Sequence, residues 1–190
     1  PGPGLCGLPV PQVEIEILDD SGALLPAGEV GESCVRPARS GKLAGVYTPM
    51  LGYWGNPDAS AKALAGGRYH TGDLGFFESD GNLYIRGRRN ELILRGGANI
   101  YPAEIERVLG LHLEVEAAAV FGIPDTRLGE RVAAVVQRSP GSSLNEAAVK
   151  LHVGEQLARY KVPEFVRFVD EMPRNAMNKI IKPKLRPLFE

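Results

Sequence analysis

Asp73, in the run Tyr69-His70-Thr71-Gly72-Asp73-Leu74, is a carboxylate beside a glycine. Its two oxygens can accept hydrogen bonds from both hydroxyls of a vicinal diol, the usual grip on a ribose. Standing alone, Thr-Gly-Asp reads equally as a turn whose Asp caps its own backbone. Arg88 follows in Ile85-Arg86-Gly87-Arg88-Arg89-Asn90-Glu91-Leu92-Ile93, where each arginine by itself reads as a solvated surface charge. Gly96-Gly97 opens the run to Ala98-Asn99-Ile100-Tyr101-Pro102-Ala103-Glu104-Ile105-Glu106. A glycine pair lets backbone approach a ligand without a Cβ and reach φ > 0, or it simply closes a loop. Near the end, Lys179 lies in Pro173-Arg174-Asn175-Ala176-Met177-Asn178-Lys179-Ile180. Lys182, Lys184 and Arg186 follow it, and together the four read as a solvated basic tail.

These residues need elements to hold them. Val13, Ile15 and Ile17 alternate with Gln12, Glu14 and Glu16, the period of a half-buried strand, which stops at Asp19-Asp20-Ser21-Gly22. A second strand is expected from Gly31 to Arg36. Asn56-Pro57-Asp58 opens a short helix to about Leu64, with Asn56 as cap. Strands from Leu74 to Glu78 and Asn82 to Arg86 flank the hairpin signal Ser79-Asp80-Gly81. Short strands with tight turns over residues 5–87 predict a small β-barrel-like or sandwich subdomain.

Beyond Arg88 the pattern changes. A helix is expected from Pro102 to about Leu109, then a strand Val115–Gly122, a loop at Pro124-Asp125 and a strand Arg131–Val136. Ser142 or Ser143 is expected to cap a helix reaching about Ala158. Phe165–Val169 reads as a last strand and Ile180–Leu188 as a proline-interrupted turn. This half is a compact α/β domain with a short sheet flanked by helices, so the chain as a whole is α+β. The boundary is expected at Arg88–Glu91, giving domains at 1–88 and 91–190.

The 190 residues are 44% hydrophobic and 24% charged, ordinary for a folded globular chain. A net charge of −1 excludes a surface that is wholly a nucleic-acid footprint. Residues 1–87 carry six Lys and Arg against ten Asp and Glu, and 88–190 carry sixteen against thirteen. Cys6 and Cys34 match no metal or redox spacing and are expected as reduced thiols of a cytoplasmic protein. No apolar run approaches the ~20 residues that span a bilayer. Pro1-Gly2-Pro3-Gly4 has neither initiator Met nor a basic leader and is expected to be a cut within a longer chain.

Taken in order, Tyr-His-Thr-Gly-Asp, the arginine, the double-glycine run and the Pro-Arg-Asn-x-x-Asn-Lys segment resemble the adenylate-forming superfamily of acyl-CoA synthetases, peptide-synthetase adenylation domains and luciferases. That resemblance implies that Asp73 binds the ribose hydroxyls of ATP and that Arg88 contacts the same nucleotide. It implies that Lys179 is the catalytic lysine, bridging carboxylate and α-phosphate oxygens as the acid attacks phosphorus. Asn178 stands where the family usually has Gly, and Asn tolerates left-handed backbone best among other residues. Asn90 takes the place of the hinge residue, usually Asp or Lys, about which the C-terminal domain rotates between half-reactions. The same resemblance implies that Gly97, with Gly96 beside it, borders a tunnel for pantetheine. The wording Gly-Gly-x-Asn-Ile-Tyr-Pro-x-Glu-Ile-Glu is closer to CoA ligases than to peptide-synthetase domains.

The family's Ser/Thr/Gly-rich phosphate loop ending in Pro-Lys-Gly is missing here, as is the Tyr-Gly-x-Thr-Glu segment that supplies the Mg²⁺ ligand. The acid pocket is missing too. The reading is therefore the C-terminal portion of an ATP-dependent acyl-CoA synthetase that forms an acyl-adenylate and transfers it to CoA. Its partners are a carboxylic acid, ATP, CoA and the rest of the N-terminal adenylating domain, with no nucleic acid, no membrane span and no metal held by this chain. Two rivals are an adenylating enzyme that loads a carrier protein and a non-catalytic module that binds an acidic partner through its basic tail.

Overall fold

A computed structural model describes residues 2–189. The chain divides between Asn90 and Glu91 into two compact units.

In the first unit, β1 (Leu5–Gly7), β2 (Val13–Leu18), β3 (Gly31–Pro37), β4 (Tyr69–Phe77) and β5 (Leu83–Arg88) form one antiparallel sheet, ordered β1-β5-β4-β3-β2. The sheet stays open, unlike the barrel-like closure expected from its short strands. Among the described residues β1 pairs only with β5, and three residues offer too short an edge to seal against β2. Ile17, Leu18, Leu74, Phe76 and Leu83 supply its apolar core. On the polar face of β2, Glu14 pairs with Arg39 at 2.8 Å, and Glu16 with Arg36 at 3.2 Å and with Arg68. Helix α1 (Pro57–Ala63) begins as expected: Asn56 accepts a hydrogen bond from the Ala59 N–H, and Pro57 occupies the first turn.

The strands carrying Asp73 and Arg88 are neighbours. Register puts Asp73 directly opposite Arg88. On its other side β4 is out of step with β3. Glu32 pairs with Leu74 and Cys34 with His70, so β4 uses Thr71, Gly72 and Asp73 where β3 has only Ser33. Gly72 takes φ +74° inside this bulge, a conformation that side chains with a Cβ rarely adopt.

The second unit is built on the long hairpin of β8 (Val115–Asp125) and β9 (Gly129–Arg138). β10 (Phe165–Val169) runs parallel to β9 on its other side, and β6 (Ile93–Arg95) and β7 (Ala98–Ile100) extend the sheet. Both hairpin strands run further than the sequence indicates, and Pro124 lies inside β8 rather than in a loop. Among the described residues β8 pairs only with β9, and an edge strand accommodates a residue that cannot donate to a ladder.

From Val132 to Gln137 every residue of β9 is buried, so the strand is covered on both faces. Val132, Ala134 and Val136 face α2 (Pro102–Leu109) and α3 (Glu146–Gln156), against Ile105, Val108, Leu109, Val149 and Val153. Ala133 and Val135 face the C-terminal segment, against Met172 and Leu185. The cap of α3 is Asn145, which accepts from the Ala148 N–H, not Ser142 or Ser143. Ser142 Oγ accepts from Leu144 N–H in the preceding turn, and Leu144 itself is buried. Two cations of the tail have partners, while Lys179 and Lys184 stay exposed. Lys182 pairs with Glu91 and with Glu106 at 2.9 Å, and Arg186 donates to the Gly122 carbonyl at 3.0 Å.

Ile105 is fully buried between α2 and the sheet. Ile105→Ala is expected to cost about 2–5 kcal/mol by urea unfolding of the second unit. A loss below about 1 kcal/mol would mean that α2 does not carry the core.

Candidate functional site

The bulge in β4 is pinned at each of its residues. Thr71 Oγ1 donates to the Ser33 carbonyl at 2.7 Å and accepts from Asp73 N–H at 3.0 Å. Gly72 N–H donates to Glu32 Oε1 at 3.2 Å. Arg88 Nη1 donates to the Thr71 carbonyl at 2.7 Å, and its Nε lies 3.0 Å from Asp73 Oδ1. One guanidinium thus grips both the bulge backbone and the carboxylate that the bulge presents. Asp73 keeps 31% of its side chain exposed, and its Oδ2 has no hydrogen-bond partner among the described residues.

Glu32 was not singled out from the sequence, yet it anchors this region. Its Oε2 faces His70 Nδ1 at 3.1 Å and accepts from Arg89 at 3.2 Å, and Arg89 also pairs with Asp20. Arg89 is therefore a paired residue rather than a solvated one. Beside them Cys34 is fully buried, and burial followed by the Glu32 charge pushes its thiol up to about 11.

Lys179 and the Gly96-Gly97 turn belong to the second unit. Gly96 and Gly97 have φ of +56° and +83° and form the two-residue turn of the β6–β7 hairpin. That turn type needs both residues at positive φ, which is why a glycine pair stands there. A Cβ on Gly97 would meet nothing within 4 Å, so its face is open.

Lys179 closes a tight loop bridged by Arg174 and Ile180. Asn175 N–H donates to the Lys179 carbonyl at 2.9 Å, while Asn175 Oδ1 accepts from Met177 and Lys179 N–H groups. Arg174 Nη1 donates to the Asn178 carbonyl at 2.9 Å. Asn178, at φ +63°, is the one positive-φ residue other than glycine among the described residues. Its side-chain type fits the position that the loop demands. Lys179 is exposed at the end of this fixed loop. Asn90 lies in a single 3-10 turn, Arg89–Glu91, where the chain passes from one unit to the next.

The second unit also carries a cleft of about 700 Å³ lined by Arg95, Arg131, Lys150 and Arg159 around Glu164, with Tyr160 on its wall. No motif marked these cations, which come from four separate elements. Glu164 accepts from Arg131 at 2.5 Å and from Arg95 at 3.0 Å. The Arg131 hydrogen bond, helped by Arg95 against the cost of burial, holds the Glu164 carboxyl below the usual carboxylate range. Arg159 has no side-chain partner among the described residues, which leaves the cleft suited to an anion.

Residues 104–179 match the family model of the AMP-binding enzyme C-terminal domain. A 2-succinylbenzoate–CoA ligase of Geobacillus kaustophilus is 41% identical over 98% of this chain and 36% of its own length. A fatty acid–[acyl-carrier-protein] ligase of Streptomyces coeruleorubidus is 42% identical over 96% of this chain and 34% of its own. The o-succinylbenzoate CoA synthetase of Bacillus subtilis, solved with an acyl-adenylate intermediate, superposes with a TM-score of 0.84. It is 33% identical, and the match covers 96% of this chain and 35% of that one. The chain thus spans about a third of the length of the relatives it matches.

Two outcomes follow from the geometry. Asn178→Gly should leave stability within about 1 kcal/mol, whereas Asn178→Val should cost about 1–2 kcal/mol in chemical unfolding, because a β-branched residue resists positive φ. Equal values for the two would show that the loop does not hold its left-handed turn. Glu164 titrates lower in the folded state than its usual 4.5. Its stabilising contribution is therefore present above about pH 4.5 and is lost as pH falls through the depressed value. Glu164→Gln should flatten the acid limb of stability against pH for the second unit, and an unchanged limb would count against the pairing.

Proposed function

We propose that this chain, whose residues 104–179 match the AMP-binding enzyme C-terminal domain, is the C-terminal portion of an ATP-dependent acyl-CoA synthetase of the adenylate-forming kind. The whole enzyme converts a carboxylic acid, ATP and CoA to acyl-CoA, AMP and pyrophosphate. Carboxylate oxygen attacks the α-phosphorus as the bond to pyrophosphate breaks, and the CoA sulfur then attacks the acyl carbon and releases AMP. Passing through a mixed anhydride turns a poor electrophile into a reactive one.

One observation carries this reading: Asp73 and Arg88 meet at 3.0 Å on adjacent strands, with one carboxylate oxygen left over. In the proposal that oxygen and its partner take the ribose hydroxyls, and Arg88 adds its charge to the same nucleotide. Lys179 brings an ammonium group to the α-phosphate and carboxylate oxygens, offsetting charge as it builds in the transition state. The fixed Asn175–Asn178 loop limits the reorganisation this requires. Mg²⁺, when bound with the nucleotide, would supply charge neutralisation on the phosphates, and none of Asp73, Arg88 or Lys179 is assigned to hold it. Asn90 is the pivot about which the second unit turns between half-reactions.

Gly96 and Gly97 give pantetheine a wall without side chains, and the cationic cleft beside Glu164 seats the CoA phosphates. Leu51 and Trp54 are 97% and 103% exposed, an apolar surface that suits burial against the larger adenylating domain. A second acceptor is supported by the carrier-protein ligase among the relatives. Free CoA assayed against holo carrier protein separates the two.

The 190-residue chain alone is expected to show no pyrophosphate–ATP exchange above its Lys179→Ala control across a panel of acids. In the whole enzyme, Lys179→Ala should lower adenylation by roughly two to three orders of magnitude while sparing thioester formation from supplied acyl-adenylate. Equal loss in both half-reactions would defeat the assignment of Lys179 to the first step alone.

A further inference from the structure

Glu32, Cys34 and His70 meet in the first unit in a cluster to which the proposed reaction gives no ligand, although Glu32 also pins the bulge. Glu32 and Cys34 are two residues apart on β3, and the register sets Cys34 directly opposite His70 on β4. The bulge after His70 draws the Glu32 carboxylate into the same space, through Gly72 N–H. His70 Nδ1 then lies 3.4 Å from Cys34 Sγ and 3.1 Å from Glu32 Oε2.

A single ring nitrogen faces two groups here and has either one proton or one lone pair to offer. Protonated, it satisfies the carboxylate and leaves the thiol hydrogen without that acceptor. Unprotonated, it accepts from the thiol and sets its lone pair near a carboxylate oxygen. A cation resolves the conflict by taking a lone pair from all three.

The dimensions fit one. Tetrahedral Zn²⁺, with Zn–S of about 2.3 Å and Zn–N and Zn–O of about 2.0 Å, holds its ligand atoms roughly 3.3–3.6 Å apart. Two edges of the cluster are already near this, and all three donor atoms lie within 4.8 Å of one another. A bound ion would have to close the remaining edge by drawing Glu32 Oε2 off Arg89, which retains Asp20 as its partner, while Oε1 keeps the Gly72 N–H. A thiolate, an imidazole and a carboxylate are a borderline-soft set that suits zinc over magnesium or calcium. One thiolate and one carboxylate balance the two positive charges of the ion beside the buried Cys34, and the neighbouring Arg89 guanidinium, 3.2 Å from Glu32 Oε2, has Asp20 as its other carboxylate.

We propose that Glu32, Cys34 and His70 form a binding site for a divalent cation of the zinc class, with water as fourth ligand. Binding releases the Cys34 thiol proton to solvent, and the ion ties β3 to β4 across the bulge.

The test is a Co²⁺ titration of the 190-residue chain carrying Cys6→Ser, which removes the exposed thiol. The expected result is one equivalent of cobalt showing a thiolate-to-metal charge-transfer band, displaced by Zn²⁺. The band should vanish in Cys34→Ser, and affinity should fall roughly tenfold or more in His70→Gln. No thiolate band in the folded Cys6→Ser chain overturns the site, as does an equal band in folded Cys34→Ser. If Cys34→Ser does not fold, cadmium NMR of the Cys6→Ser chain decides. A shift for one sulfur with nitrogen and oxygen supports the site, and a shift for oxygen ligands alone overturns it.

Discussion

The interaction on which the first unit's chemistry rests is the pinning of the β4 bulge. A regular strand would alternate Thr71, Gly72 and Asp73 between the faces of the sheet, each opposite its own residue on β3. Here three residues stand against Ser33 alone, and the surplus backbone must find partners elsewhere. Glu32 takes the Gly72 N–H, Thr71 takes Ser33 and Asp73, and Arg88 takes the Thr71 carbonyl. What the distortion accomplishes is placement: a half-exposed carboxylate with an arginine held against it. Deleting Arg88 would remove both the charge beside Asp73 and one of the bonds that shape the bulge.

The second unit solves a different problem, presenting loops from a rigid base. β9 is covered on both faces, by α2 and α3 on one and by the C-terminal segment on the other. Covering both faces explains its unbroken apolar run from Val132 to Val136. It also explains why Lys182 and Arg186, which composition alone would leave in solvent, are fastened to Glu91, Glu106 and the Gly122 carbonyl. With the tail held on both sides of its loop, Lys179 projects from a fixed base rather than from a flexible end. Such fixation limits the conformational freedom of the loop that carries the ammonium group.

Local features were readable wherever a residue's own chemistry dictated its conformation. Asn56 before Pro57 announced its helix, and Gly96-Gly97 and Asn178 fell at positions of positive φ. Less local features were misjudged. Ser142 and Ser143 are as good caps as Asn145, and only the burial of Leu144 fixes where α3 begins. Pro124 argued for a loop until the strand holding it proved to be an edge. The open sheet of the first unit was equally out of reach, because strand count and turn spacing do not say whether the outer strands meet.

The order of residues by itself determined most strand and helix types, and it singled out Asp73, Arg88 and Lys179 as groups worth following. Tertiary structure alone decided that Glu32, Cys34 and His70 share one small volume, and that four cations from separate elements surround Glu164. The reason is register. Which side chains face one another across a sheet depends on pairings between distant segments, and a slip of one residue would turn each of them to the opposite face. A single chain read in order carries the propensity of each strand but not the alignment between them.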